Sequence, residues 1–452
     1  MMKKVQKTQL ILTLSVVASA VILNGCGEDT TKTSEYYVSP LQTQSVHADS
    51  IDLGTGILHK SDSDISSSKS LLSVARNYSS LTDENQSFGS WNLGYNSKVD
   101  KILNYQHQKN ASKLYNTQKE ACEEGWDDID ESAFLGKLDG ADAIYNSSNG
   151  LCDIYQDDEI VASMPTMNKT KKINPKIHTI TRADGSTLAF IEKNAKWFSL
   201  TKEPYQFSVS ADGFELKNPD GSIETYDKNG LIKSLKSEAQ TLSFGYNGTK
   251  LTSITDSFGQ TISFTYTNDV ITEAKSFDNT KTLYEYDNNK NLIAVVYADG
   301  SKSSYEYDAK QRLTSIKDNA GVIVASYIYD NDGKVISTSK AKGSDKTEIS
   351  YSDDETIVKK SSGESRYQFL VLNSLLKPIS LTTDEGVERY EYDSHGYLKQ
   401  VVDKLGNISK TTFDENGLLV EQVSNVGSKE EKTTLSSYDT NLRKPLRVLE
   451  NG

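Results

Sequence analysis

The segment Tyr284–Gly300, YEYDNNKNLIAVVYADG, is followed almost at once by Tyr305–Gly321, YEYDAKQRLTSIKDNAG. Both place an aromatic pair, an acid, a later leucine and a distant glycine in the same order. Side chains alternate between faces along a strand, so Tyr284 and Tyr286 share one face while Glu285 lies on the other. An Asp at the strand end accepts from the next backbone amides and reverses the chain.

Aligned on the aromatic before the acid, the echo recurs at Tyr226, Tyr246, Tyr266, Tyr286, Tyr307, Tyr329, Tyr351, Phe369, Tyr392, Phe413 and Tyr438. A fixed period of about twenty residues marks one supersecondary unit stacked on itself. Each unit reads as a β-hairpin. The acids Asp227, Asp287, Asp308, Asp330 and Asp393 begin the turns, and glycines stand three places later at Gly230, Gly333, Gly396 and Gly417. Such a glycine suits the close of a type I turn begun by Asp. Apolar residues at Ile232, Leu292, Leu313, Val335, Leu398 and Leu419 start the return strands, and Gly259, Gly300, Gly321 and Gly406 turn into the next unit. The repeats at 220–452 predict an all-β fold, a long, curved antiparallel sheet of repeated hairpins with tyrosines in rows across strands, while repetition alone does not separate a propeller, a β-helix and a spiral.

Upstream, Asp184-Gly185, Asp212-Gly213 and Asp220-Gly221 are further hairpin signals, since Asp-Gly tolerates positive φ. The region 71–219 is expected to be mostly β, with order beginning near Leu71. It carries an acidic insertion between Cys122 and Cys152 whose spacing lacks the D-x-D-x-D-G of a calcium loop. Residues 26–70 are polar and Ser-rich and read as a flexible tether.

The first residues are a secretory signal. Lys3, Lys4 and Lys7 precede the apolar run Leu10–Leu23, too short to span a bilayer comfortably but the length of a signal core. The run ends Leu23-Asn24-Gly25-Cys26, which resembles the lipobox of bacterial lipoproteins, with 1–25 removed and Cys26 as the lipid-attachment residue. A lipid chain tethers without crossing. The expected location is the bacterial cell envelope, with the outer membrane or cell surface favoured. Cys122 and Cys152 then remain, and an isolated pair in an oxidising compartment closes a disulfide or stays as two free thiols.

The net charge of −13 argues against a nucleic-acid partner. No zinc spacing, H-E-x-x-H, G-x-S-x-G or phosphate loop occurs, so neither catalysis nor a cofactor nor a metal is expected. Trp91, Trp126 and Trp197 suit either buried packing or stacking on sugars.

The run Y-x-Y-D-x(3,4)-L resembles the YD repeat of Rhs proteins, insecticidal toxin complexes and teneurins. VARNYSSL and FGSWNLGYNSKVD, through Arg76, Tyr78, Ser80, Gly89 and Trp91, are similar to the N-terminal module of Rhs proteins; DGSTLAF and DGSIETYDKNGLIKSL continue the likeness. The resemblance implies a spiral of hairpins that, in full-length relatives, encloses a C-terminal toxin; eleven hairpins are far fewer than the closed shells use, so an open, shell-like sheet is expected here. The chain ends at RVLENG without a D-P-x-G autocleavage segment. Two functions follow as expectations: a lipid-anchored, non-catalytic scaffold binding a protein or glycan partner, or a truncated or split component of a polymorphic toxin system with separately encoded cargo. The last hairpin, at Tyr438, is expected to leave an open sheet edge.

Overall fold

A computed structural model describes residues 42–43, 47–48, 50–66, 71–80, 87–102, 117–124, 126, 141–148, 150–156, 158–165, 177–352, 355–373, 375–439 and 443–451. The strands from Gln206–Ser210 to Lys444–Asn451 are antiparallel neighbours in sequence order, and Gln42–Thr43 adds in parallel against Leu375–Leu376 to give a 25-stranded, open sheet. The sheet curls. Arg443 donates to the carbonyls of Pro219 and Asn416, and Lys444 pairs with Glu238, so the last hairpin lies against the first.

The hairpins whose aligned aromatic is followed by Asp are built as the repeat predicts, whereas those after Tyr246 and Tyr266 close through the two-residue loops Gly248-Thr249 and Asn268-Asp269. Asp287 Oδ1 accepts from the amides of Asn289 (2.9 Å) and Asn291 (2.8 Å), and Asp308 does the same for Lys310 and Arg312. Asp227, Asp330 and Asp393 repeat the arrangement. The turn position that is glycine in sister units is left-handed throughout: Gly230 and Gly333 have φ of 83° and 88°, Lys290 and Gln311 of 64° and 61°. Two amide bonds to one carboxylate fix the loop, so the non-glycine units tolerate a strain of about 1 kcal/mol.

Just before every aligned aromatic except Tyr351 the register slips by one residue. A bulge interrupts the ladder and frees a backbone group. The next tyrosine takes it up: Tyr266 donates to the carbonyl of Leu251, Tyr286 to Ile271, Tyr307 to Leu292, Tyr329 to Leu313, Tyr351 to Val335 and Tyr392 to Pro378. Neighbouring units are thus stapled hydroxyl to carbonyl, a link more specific than the aromatic rows expected from the repeat.

The tether expected over 26–70 does not extend over 50–66. His59–Ile65 pairs with Val74–Ser79, which pairs with Asn92–Leu93, and Ile51, Leu53 and Leu58 are fully buried. The stretch reads as polar because its acids serve inside the fold, as partners of a buried arginine. Order therefore begins well before Leu71. Cys26 and residues 1–25 lie outside the described residues, as do Asp127, Asp128, Asp130 and Glu131.

Two smaller sheets complete the N-terminal region. Lys98–Ile102, Ile177–Thr181, Thr187–Lys193 and Lys196–Ser199 form one; Asp142–Asn146, Leu151–Gln156 and Glu159–Pro165 form the other. A helix, Gln118–Glu123, departs from the all-strand expectation. Thr117 and Glu120 close a capping box at its start, a T-x-x-E signal that sets a helix terminus even in an acidic segment. Cys122 on this helix is bonded to Cys152 of the adjoining hairpin. That link closes a loop of 30 residues, and Cys122→Ser is expected to lower stability by about 3 kcal/mol, read by urea denaturation with and without reductant.

One core cluster runs from Ala48 to Leu376, joining the N-terminal strands to the repeats. Its tyrosines set the alkaline limit of the fold. Burial raises Tyr78 and Tyr266 to about 12 and lifts Tyr284, Tyr286, Tyr305 and Tyr307 as well. A raised folded value contributes stability that is complete below the free tyrosine value of about 10 and is lost as pH climbs through the folded values. Urea midpoints should fall steeply above about pH 10, with tyrosinate absorbance appearing together with unfolding. Gradual ionisation of all tyrosines in a still-folded chain would contradict the burial.

Candidate functional site

The residues singled out by the repeat and by the N-terminal motif meet along one seam. The described residues of 53–66, 71–80 and 87–99 run past the Asp-turn ends of the hairpins and reach over the tyrosine face. Val335 donates its amide to Gly56 O, Thr356 its hydroxyl to Leu53 O, Leu313 its amide to Tyr78 OH, and Val99 its amide to Gly230 O. Ile271 donates to Ser87 O, and Ser97 shares a 2.8 Å bond with Tyr226.

Arg76 lies at the centre, wholly buried. Its Nε and Nη2 donate to Asp64 at 2.6 and 2.9 Å, and Nη2 also donates to Tyr305 OH at 3.0 Å. The guanidinium lies over the rings of Trp91 and Tyr305, at 4.8 and 5.4 Å. Tyr284 donates to Asp64 and Tyr305 to Asp62. Burial works against the Arg76 charge, yet Asp64 holds its pKa well above the usual value; burial in turn lifts the Asp64 carboxyl, with Arg76 opposing. Removing either partner would strand a buried charge.

Trp91 is fully buried, and its indole donates to Tyr307 OH at 3.0 Å, the same hydroxyl that staples Leu292. Phe88 packs on Tyr284 and Tyr95 on Phe244. A second buried arginine pair, absent from the sequence reading, joins Arg182 to both Glu224 oxygens at 2.6 and 2.7 Å, and Glu224 also accepts from Tyr226. Its sequence trace is an acid on the buried face of a repeat strand, two places before the aligned tyrosine. Half-buried Glu203 and buried Lys377 lie where the N-terminal region meets the later repeats. Burial raises Glu203 and lowers Lys377 to about 8, with Glu203 pulling it back up.

The structure separates the other candidates. Tyr286, Tyr307, Tyr329 and Tyr392 are staples; Asp227, Asp287, Asp308, Asp330 and Asp393 are turn acceptors. Trp126 donates to Ala141 O, Trp197 packs on His178 while staying half-exposed, and His395 sits in a repeat turn. Among the described residues no group of three or more His, Cys, Asp or Glu could hold a metal ion, and no helix is long and apolar enough to cross a membrane. At the seam, carboxylates and guanidinium are committed to each other, an arrangement that orients and anchors.

A curled, bulged sheet of Tyr-Asp hairpins seated on its own N-terminal strands defines a class, the shell-type YD-repeat sheet. The family model Teneurin YD-shell matches residues 301–431, the later repeats of this sheet. Among solved structures, TcdB2-TccC3 without its hypervariable C-terminal region is similar over 69% of this chain and 21% of that one, at 11% identity and a TM-score of 0.40. The Photorhabdus luminescens Tc holotoxin pore is similar over 64% of this chain and 19% of its own, at 12% identity and a TM-score of 0.36. The chain thus spans about a fifth of the length of those proteins. No curated protein matches it.

Gly89 tests the seam. A Cβ there would stand 1.8 Å from the carbonyl oxygen of Lys290, and its φ is 69°. Gly89→Ala is expected to cost on the order of 3 kcal/mol or more, combining backbone strain with a forced shift of the Lys290 turn, measured by chemical denaturation. A change below about 1 kcal/mol would mean that the motif does not sit on this turn.

Proposed function

We propose that this chain is a lipid-anchored, non-catalytic scaffold of the bacterial cell envelope that presents its YD-repeat sheet to a protein or glycan partner. The observation that supports it most is the seam. The tyrosine face of the sheet is covered from Tyr226 to Thr356 by the chain's own residues 53–66, 71–80 and 87–99. A face so occupied is committed to the fold, and recognition falls to the outer face, the edges and the clefts. The final strand, Lys444–Asn451, is exposed along its length, with Leu446 and Val448 facing solvent, and offers unpaired backbone groups to an added strand.

The match to the YD-shell family favours a second reading, in which the sheet forms part of a toxin-enclosing shell with separately encoded cargo. Co-expression with the product of an adjacent gene discriminates them: a shell retains that product through size exclusion and shields it from protease.

Anchoring is tested at Cys26. Palmitate fed to bacteria expressing the full chain should label the protein and place it in the membrane fraction. Cys26→Ala should lose the label and move to the soluble fraction. An unlabelled protein that stays with membranes regardless of Cys26 would refute the lipid anchor.

A further inference from the structure

A cleft of about 580 Å3 opens where three parts of the chain converge: the disulfide-linked hairpins at 142–165, the sheet that ends at Ser199, and the repeat turns at 395–416. Its size falls in the range of about 300–1,000 Å3 in which clefts bury a small ligand. It is absent from the repeat pattern because no single unit makes it.

The lining combines two chemistries. Trp197, Phe198, Tyr205 and Tyr397 supply ring faces and edges. Phe198 is 48% exposed, although a phenylalanine on this strand has no need of solvent. Of the tryptophans, Trp91 is sealed in the seam and Trp126 is tied to Ala141, whereas Trp197 borders open space. The lining also carries an acceptor held in place. Asp153, 2% exposed, accepts from Asn146 Nδ2 at 2.8 Å and from Ser163 Oγ at 2.6 Å, and all three line the cleft. Those bonds fix the carboxylate while leaving each oxygen a further lone pair.

Charge narrows the ligand. Lys193 and Lys202 face Asp153, Glu203 and Glu415, so the lining is nearly balanced. Polyanions gain little there, and a purely apolar ligand would desolvate acids and amines without replacing their hydrogen bonds. A sugar ring meets both demands: its C–H face packs on an aromatic ring, and its hydroxyls both donate to carboxylates and accept from ammonium and amide groups.

The geometry points to a saccharide site in this cleft, with Trp197, Phe198 and Tyr397 as stacking platforms and Asp153, Asn146 and Lys202 as the hydroxyl partners of a neutral oligosaccharide of two or three rings. The inference rests on the reading of the chain as a binding scaffold and names the ligand class and the place.

The test uses the full chain and defined trisaccharides: chitotriose, cellotriose, maltotriose and mannotriose, titrated to the millimolar range by calorimetry and by ligand-observed NMR. At least one should bind. Phe198→Ala, a change at an exposed position, should weaken it at least about tenfold, the equivalent of 1.4 kcal/mol, with the urea midpoint unchanged. Trp197→Ala should abolish binding, but it also removes packing on His178, so its thermal midpoint is measured alongside. Leu405→Ala, an exposed apolar residue on a distant turn, should leave affinity as it was. Failure of all four sugars to bind overturns the proposal, as does binding that Phe198→Ala leaves undiminished. Either result leaves the Cys26 anchor standing, and a failed anchor leaves the cleft standing, so the two readings fall separately.

Discussion

The structure depends on a bond between a tyrosine hydroxyl and a carbonyl that a bulge has taken out of its ladder. A hairpin alone is marginal in water, and hairpins sharing an edge gain only the ladder between them. The Tyr307 to Leu292 bond and its counterparts reach past the shared ladder from one unit to the return strand of the unit before. The bulge and the tyrosine are therefore one device. Without the bulge the hydroxyl would have no free acceptor; without the hydroxyl a half-buried carbonyl would be left unsatisfied, at a cost of about 1–3 kcal/mol.

The same hydroxyls connect the sheet to the rest of the chain. Tyr307 accepts from Trp91 while it staples Leu292, and Tyr305 and Tyr284 engage the Arg76 cluster. In the pairs 284/286, 305/307 and 327/329 the first tyrosine is buried more deeply than the second, Tyr284 and Tyr305 being nearly inaccessible. The pair divides its work by depth: the inner ring holds the N-terminal region, and the outer one holds the neighbouring repeat.

The repeat was legible because local rules create it: an Asx turn, a left-handed fourth position, alternation and a closing glycine all act within twenty residues. Lys290 and Gln311 could be placed at a glycine position because the acid three residues earlier carries the turn. The ordering of 50–66 was not legible. Ser61, Asp62, Ser63 and Asp64 have the composition of a linker, and only the distant Arg76, Tyr284 and Tyr305 give those acids a buried role. The cleft was hidden for the same reason, since Asp153, Phe198 and Tyr397 belong to segments that only the curl of the sheet brings together. Trp197 was singled out from composition, but nothing near it in sequence indicated that it borders open space.

The seam also sets the order of events during folding. Leu53 waits for the hydroxyl of a residue 303 positions later, and Gly56, Tyr78 and Gly89 meet hairpins that leave the ribosome long after they do. The segment that emerges first is thus among the last to be satisfied. Hairpins can zip up one by one from local contacts, but the apolar strip at Ile51–Leu58 stays uncovered until the units around Leu313 to Thr356 arrive. During that interval the chain is most in need of a holding chaperone, and a stall or nick in the later repeats exposes the beginning of the protein.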